Sequence, residues 1–168
     1  MERQNTIRSG WDQSQNPDLQ KYRLKRDFTK TNEPAGSHGT AENVFVIQKH
    51  AARKLHYDLR LQIAGTLKSW AVPKGLSFTA GQKRLAVRTE DHPIEYKNFE
   101  GQIPKGQYGA GEVVIWDRGT FENVTQDSKK HHIRAAQAIE NGKLEIIFNG
   151  QKLKGQIHSH QAQKHRKR

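Results

Sequence analysis

The chain has 168 residues, enough for one domain with short tails, which excludes a fusion of several enzymes. It contains no cysteine, so disulfide frameworks, thiolate zinc sites and cysteine nucleophiles are excluded, and any metal must be held by histidine or carboxylate side chains. The formal net charge of +12 predicts an acidic polymer as the partner, and residues 129–168 carry ten basic but only two acidic side chains.

Residues 1–40 are polar and are predicted to form an arm, whose one short cluster runs from Tyr22 to Phe28. The first residues lack the apolar core of a signal peptide, and the chain has no run of about 18 apolar residues. We therefore expect a soluble, intracellular protein with no membrane partner.

From residue 41 onward, short apolar runs alternate with turn signals such as Pro73-Lys74-Gly75. Strands at a spacing of about 8–12 residues predict a sheet that is closed into a barrel or folded into a sandwich. One short helix is predicted over 129–141, ending at Gly142. The predicted strands are 43–48, 55–63, 66–72, 83–90, 111–117, 143–148 and 151–157.

The chain ends in a polybasic segment, residues 164–168 (KHRKR). Such a segment is either a solvated end or a salt-sensitive contact to phosphate backbones, and the sequence leaves both readings open. The predicted organisation is a polar arm over 1–40, a β-barrel domain over 41–155 and a basic tail over 156–168.

The strand over 54–63 is the most informative, because its side chains alternate almost perfectly between apolar and polar. Successive side chains of a strand point to opposite faces, so the polar set must share one face. This set is either a solvated ladder or a functional row of base, acid and guanidinium, and it comprises His56, Asp58, Arg60 and Gln62.

His50 lies six residues before His56, across a connection that allows its ring to turn back over the polar row. With Asp58, the two histidines would give two nitrogen ligands and one carboxylate, which suits Mn, Fe, Ni or Zn. Arg60 follows on the same face, and a guanidinium matches the geometry of a phosphate. The spacing therefore predicts a metal site beside a phosphate site.

A second polar row is predicted over 83–93, where Arg84, Arg88, Glu90 and His92 alternate with apolar or small residues. His92 precedes a proline and should be extended, near a strand end where catalytic groups often lie, although a surface or capping role is also open.

Two weaker signals remain. The chain has no Gly-x-Ser-x-Gly elbow, so Ser69 and Ser77 are set aside as nucleophiles. Trp70, Trp116 and Tyr108 are either stacking platforms for a single strand or core residues, with the core favoured.

Five motifs together resemble the 3′-phosphoesterase domain of bacterial ATP-dependent DNA ligase D and its stand-alone relatives, with a likeness that extends from about residue 22 to 155. The motifs are residues 45–61 (FVIQKHAARKLHYDLRL), 67–75 (LKSWAVPKG), 90–93 (EDHP), 99–111 (FEGQIPKGQYGAG) and 116–120 (WDRGT).

The resemblance implies a mainly β fold: a small closed β-barrel with one or two short surface helices and a polar N-terminal arm. It also implies an Mn²⁺-dependent enzyme, with other divalent transition metals as alternatives. Such an enzyme removes a 3′-terminal ribonucleoside and then the remaining 3′-phosphate at DNA or RNA–DNA primer-template ends. The 3′-OH that remains serves nonhomologous end joining.

Site residues follow from the same resemblance. His50, His56 and Asp58 look like the metal ligands, and Arg60 and His92 like the groups that hold the scissile phosphate. Arg26, Asp27 and Glu33 match an arm motif needed for activity. Gln48, Glu90 and Tyr96 match further active-site positions. Lys74 and Arg84 match positions that favour the phosphate-removal step.

The resemblance further implies a monomeric, cytoplasmic, nucleoid-associated prokaryotic protein, with a DNA ligase or polymerase of end joining as a partner. Two departures stand out: the stretch after residue 155 lacks an alternating apolar strand, and no ligase or polymerase adjoins the domain, which predicts a stand-alone protein. Two alternatives stay open. One is a non-catalytic basic DNA-binding barrel, and the other is an iron oxygenase in which His92 joins His56 and Asp58.

Overall fold

The computed structural model describes residues 17–36 and 43–161. Eight strands dominate it: β1 Val44–Ala51, β2 Leu55–Ile63, β3 Thr66–Val72, β4 Val87–Arg88, β5 Gly101–Ile103, β6 Gly111–Asn123, β7 Lys143–Gly150 and β8 Lys154–His160. Two short α-helices, α1 Gln20–Leu24 and α2 Ala135–Glu140, accompany them, with 3-10 turns at Pro17–Leu19 and Ile94–Asn98. Over the described residues, none of the helices is long and apolar enough to cross a bilayer.

The strands form one antiparallel sheet in the order β4-β3-β2-β1-β6-β7-β8, with β5 paired to β6. The sheet curls into a half-barrel whose hydrogen-bonded path runs from β4 to β8. The prediction of a mainly β fold with short helices is confirmed.

Both faces of the central strands are buried, and they bury different kinds of side chain. On one face Phe45 packs edge-on against Phe148, with ring centroids 4.7 Å apart, in a core that α2 covers through Ala138. The opposite face of β2 carries Asp58 and Arg60. A second apolar cluster lies beside it, made of Tyr22, Leu67, Tyr96, Phe99, Ile103 and Val113. The arm and the segment after β4 therefore cover the polar face.

Two predicted elements are shorter than expected. Of the strand predicted over 83–90, only Val87–Arg88 pairs with β3, because Leu85 and Val87 are 67% and 48% exposed and have no core to cover. The helix predicted over 129–141 begins only at Ala135, since the Asp127 carboxylate accepts hydrogen bonds from the backbone N–H of Lys129 and His131 and holds the preceding residues in a turn.

The remaining elements differ in extent. The structure adds β5, a three-residue strand around Gly101 that the sequence did not predict, and it extends β6 to Asn123. Strand β8 pairs with β7 along Lys154–His160, so it includes residues 156–160, which the sequence analysis placed in the basic tail. The polybasic segment at 164–168 and half of the arm, residues 1–16 and 37–40, lie outside the described residues.

Candidate active site

The β1–β2 hairpin brings together the three predicted metal ligands. Its register pairs His50 with His56 and Gln48 with Asp58, so all four side chains lie on the polar face. His50 Nδ1 and His56 Nε2 each lie 3.4 Å from Oδ2 of Asp58. One ligand atom from each of the three residues falls within 4.8 Å of the others.

Both imidazoles are held with one nitrogen turned toward the aspartate. His50 Nε2 lies 2.7 Å from the carbonyl of Gly109, and His56 Nδ1 lies 3.0 Å from the carbonyl of Lys54. A carbonyl can only accept, so these nitrogens carry the protons and the facing nitrogens keep their lone pairs. Ligands about 2.0–2.2 Å from one ion are about 3–3.4 Å apart, so the two histidine–aspartate distances fit a divalent transition metal.

The carboxylate at the centre of this group is kept ionised. Burial alone would raise the pKa of Asp58, but the charge of Arg60 and the contacts with His50 and His56 outweigh it and hold that pKa far below its usual range. Contact with Asp58 raises the pKa of His56 in turn, because the carboxylate stabilises the protonated form of the ring. The site therefore presents a permanent negative charge.

Arg60 is fixed at the floor of the site, where it is 3% exposed. Its Nε donates to Oε1 of Gln48 at 2.7 Å, and its Nη1 donates to Oγ of Ser69 at 2.9 Å. Gln48 is itself held by two donations, to the carbonyls of Tyr96 and Phe99, both 2.9 Å long. A β-bulge between Ile47 and Gln48 shifts the register of β1 against β6 at this point.

His92 reaches the same face from the segment after β4, where its backbone bridges Leu67 of β3. Nδ1 donates to the carbonyl of Glu90 at 2.9 Å, so Nε2 is the acceptor and lies 3.4 Å from Nη2 of Arg26. Burial lowers the pKa of His92 well below its ordinary value, and the charges of Arg60 and Arg26 lower it further. His92 is therefore neutral in this state.

The arm completes the site through Arg26. Its Nε donates to Glu33 at 2.9 Å and its Nη1 to Glu90 at 3.3 Å, while its guanidinium carbon lies 3.8 Å from the ring centre of Tyr22. The Tyr96 hydroxyl donates to the same Glu33 oxygen at 2.8 Å. Arm and sheet thus share one network of buried charges.

Some predicted residues lie outside this network. Asp27 hydrogen-bonds to Thr29 and pairs with Lys30, within its own turn. Lys74 and Arg84 line a separate depression with Pro73, Lys83 and Leu85. Asp27, Lys74 and Arg84 therefore lie apart from the site. The other ten predicted residues lie together in it: His50, His56, Asp58, Arg60, His92, Gln48, Glu90, Tyr96, Arg26 and Glu33.

These positions bear on two of the open readings. The polar row of β2 is no solvated ladder, because Asp58, Arg60 and Gln62 are 6%, 3% and 3% exposed. The oxygenase reading required His92 beside His56 and Asp58. The structure instead groups His50 with that pair and places His92 against Arg26.

Sequence reasoning missed three contributors. Ser69, set aside as a nucleophile, accepts from Arg60 and lies 3.3 Å from Nδ1 of His92. Tyr22 is fully buried beneath Arg26, and its ring centroid is 5.0 Å from that of His92. The Gly109 carbonyl orients His50. Only the pairing of Arg60 with Ser69 across β2 and β3 would have identified the serine.

Comparisons with known proteins identify the family of the chain. Residues 48–160 match the family model described as the DNA Ligase D 3′-phosphoesterase domain. The chain is 44% identical over 144 residues to the multifunctional non-homologous end joining protein LigD of Pseudomonas aeruginosa, and 47% identical over 145 residues to that of Mycolicibacterium smegmatis. It is 50% identical over 117 residues to the multifunctional non-homologous end joining DNA repair protein LigD of Mycobacterium tuberculosis.

These alignments cover 83%, 82% and 68% of this chain. They cover only 16%, 18% and 15% of the respective relatives. The chain therefore spans less than a fifth of the length of these proteins, and the likeness concerns one domain of each.

Proposed function

The chain belongs to the DNA ligase D 3′-phosphoesterase family, and on that premise we propose that it hydrolyses phosphoester bonds at the 3′ ends of DNA in end-joining repair. It removes a 3′-terminal ribonucleoside from a primer-template end, then the remaining 3′-phosphate, and leaves a 3′-OH. The observation that carries this proposal is the His50–His56–Asp58 group, whose lone pairs converge next to Arg60.

Mn²⁺ is the metal we propose for these three ligands. When bound there, it would polarise a phosphate oxygen and lower the pKa of a bound water. The chain contributes the fixed geometry: two carbonyls lock the imidazole tautomers, and Arg60, with Nη2 3.5 Å from Oδ2 of Asp58, keeps the carboxylate charged.

Arg60 and Arg26 supply the positive charge for the phosphate. Gln48 and Ser69 hold two edges of the Arg60 guanidinium in place, so its remaining N–H groups are directed before substrate arrives. Such preorganised donors stabilise charge that develops on phosphate oxygens without moving during the reaction.

His92 takes part through Nε2. Because Nδ1 donates to the Glu90 carbonyl, the free lone pair of the neutral ring faces Arg26. In this state it accepts a hydrogen bond from Arg26, and a proton that it took from the attacking water would pass to the leaving oxygen. Glu90 and Glu33 orient Arg26, and Tyr96 orients Glu33, so these three act through positioning.

Asp27, Lys74 and Arg84 act further from the ligands. We propose that Lys74 and Arg84 contact the strand when a terminal phosphate is removed, in line with their shared basic depression. Asp27 shapes the turn that follows Arg26, since its carboxylate accepts from the backbone and hydroxyl of Thr29.

The test is to incubate the purified chain with a 5′-labelled primer-template that ends in one 3′-ribonucleotide, in Mn²⁺, in Mg²⁺ and in EDTA. Conversion through a 3′-phosphate to a 3′-OH, with Mn²⁺ but not EDTA, is the expected result. A duplex that is bound but unchanged in every metal would instead favour the non-catalytic DNA-binding barrel.

A further inference from the structure

A cavity of about 380 Å³ adjoins the site on the side of the arm. Two of its lining residues connect it to the site. Glu90 pairs with Arg26, and Tyr108 immediately precedes Gly109, whose carbonyl holds His50. The cavity is lined by Lys21, Lys25, Arg88, Thr89, Glu90 and Tyr108.

The lining is cationic. Lys21, Lys25 and Arg88 contribute three positive charges, of which Arg88 is paired with Asp91 outside the lining, and Glu90 contributes one negative charge. That carboxylate is already engaged, because Lys25 Nζ lies 3.0 Å and Arg26 Nη1 lies 3.3 Å from its two oxygens. The remaining charge favours an anionic ligand.

Tyr108 gives the cavity an aromatic wall. Tyr108 is 49% exposed, although the next residue, Gly109, contacts His50 in the site. Lys25 donates to its hydroxyl at 3.3 Å and places Nζ 4.6 Å from its ring centroid. An exposed ring flanked by cations is the arrangement on which single-stranded nucleic acids stack their bases.

We propose that this cavity binds the last nucleotides of the strand whose 3′ end is processed, with a base stacked on Tyr108 and a backbone phosphate held by Lys21. The proposal rests on the proposed function and adds to it the surface that guides the strand to the ligands. If these residues were only solvated surface residues, their substitution would have no effect on oligonucleotide binding.

The test measures binding of a fluorescein-labelled single-stranded oligonucleotide by anisotropy in EDTA, where no turnover occurs. Tyr108→Ala is expected to weaken binding by roughly 5- to 150-fold, the range for loss of one base–aromatic stack. Tyr108→Phe keeps the ring and should bind as the wild type does. Lys21→Ala should reduce the slope of log K against log salt by about 0.7, one phosphate contact on a single strand.

Lys129→Ala is the matched control, because Lys129 is an exposed lysine in the turn before α2. Equal binding by Tyr108→Ala, Tyr108→Phe and the wild type, or equal salt slopes for Lys21→Ala and Lys129→Ala, would overturn the proposal. So would competition by a nucleoside monophosphate at the same concentration as the oligonucleotide, since the cavity would then take a free nucleotide. Wild-type turnover in Mn²⁺ separately decides the proposed function.

Discussion

Nη2 of Arg26 lies 3.4 Å from Nε2 of His92, so an arm residue and a sheet residue meet at the point where the phosphate is proposed to bind. Arg26 also donates to Glu33 and Glu90 through separate nitrogens. The planar guanidinium can make these contacts at once, whereas a lysine ammonium cannot.

Arg26→Lys should therefore lower kcat/KM by about 100-fold, the loss expected when a site is misplaced by about 1 Å. Arg23→Lys, on the preceding helix α1, is the control and should stay close to the wild type. Turnover of the primer-template measures both, with circular dichroism to verify the fold. Equal loss in the two variants would show that Arg26 matters only as one of the basic residues of the arm.

Tyr96→Phe tests the buried network from its other side. The change removes the hydroxyl that donates to Oε1 of Glu33 at 2.8 Å, and Glu33 is 4% exposed. Removal of a partner from a buried charged acceptor costs about 1–3 kcal/mol, so urea unfolding should show a loss of that size. Tyr108→Phe removes an exposed hydroxyl and should stay within about 0.5 kcal/mol of the wild type. If both variants lower the free energy of unfolding by the same amount, the Tyr96–Glu33 hydrogen bond contributes no more to stability than an exposed hydroxyl does.

Glu90 gives the protein a stability that depends on pH. Burial would raise the pKa of Glu90, but the hydrogen bond from Lys25 and the charges of Arg26 and Lys25 outweigh it, so the folded-state pKa lies below the ordinary value of 4.5. A depressed pKa stabilises the fold above the unfolded-state pKa, and this contribution is lost as pH falls through the folded value.

Wild type should thus be more stable than Glu90→Gln at pH 7, with a constant difference down to about pH 5.5 that shrinks below about pH 4.5. Urea unfolding of both proteins at pH 7, 5.5, 4 and 3 measures the difference. Glu122→Gln, at an exposed position of β6, should stay within about 0.5 kcal/mol of the wild type throughout. A difference that grows on acidification would mean that the carboxylate is destabilising.

The sequence predicted those parts of the fold and site that depend on local alternation. The polar row of β2 follows from the two-residue period of a strand. The position of His50 beside this row follows from the short connection between β1 and β2. Ser69 escaped prediction because its role depends on the register between β2 and β3, which no local pattern encodes. The resemblance placed Arg26 in the site, but the burial of Tyr22 beneath it came only from the structure.

The failures have a common physical origin. The alternation over 83–90 suits an amphipathic strand, yet Leu85 and Val87 lie at the sheet edge, where no second layer covers them. The helix over 129–141 was shortened by a turn in which Asp127 binds the backbone N–H groups of Lys129 and His131, and Lys130 takes a φ of +64°, which an α-helix excludes. In both cases tertiary or side-chain contacts outweigh local preference.

Gly111→Ala tests whether the loop before β6 positions His50. A Cβ at Gly111 would lie 2.2 Å from the carbonyl oxygen of Ala51, and φ is +138° there. The backbone must shift, and the Gly109 carbonyl two residues earlier would move away from His50. We expect lower stability and an activity loss of about 10- to 100-fold, the usual effect of losing the partner that orients a metal-ligating histidine.

Gly106→Ala is the control for that change, because φ is +87° at Gly106 but a Cβ would meet nothing within 4 Å. Only the conformational cost of about 1–2 kcal/mol should appear there, with activity retained. Turnover and urea unfolding of both variants distinguish the two positions. Full activity in Gly111→Ala would show that His50 does not depend on this loop.

The metal proposal can be tested on the folded protein without any substrate. A ligand that binds only the folded state stabilises it by RT ln(1 + [L]/Kd), which is about 2.7 kcal/mol at a hundredfold excess over Kd. For a chain of this size that corresponds to a rise in Tm of roughly 5–10 °C. After dialysis against EDTA, Mn²⁺ should raise Tm in the wild type but not in His56→Ala or Asp58→Asn.

His158→Ala separates this effect from nonspecific binding, because His158 lies on exposed β8, where its Nδ1 is 3.3 Å from Glu145, and offers Mn²⁺ a comparable pair of side chains. It should keep the full shift. Asp58→Asn preserves the shape of the carboxylate and so limits disturbance of Arg60, 3.5 Å away. If the shift survives in both His56→Ala and Asp58→Asn but is lost in His158→Ala, the metal binds at the sheet edge, and the ligand assignment on which the proposed hydrolysis depends is wrong.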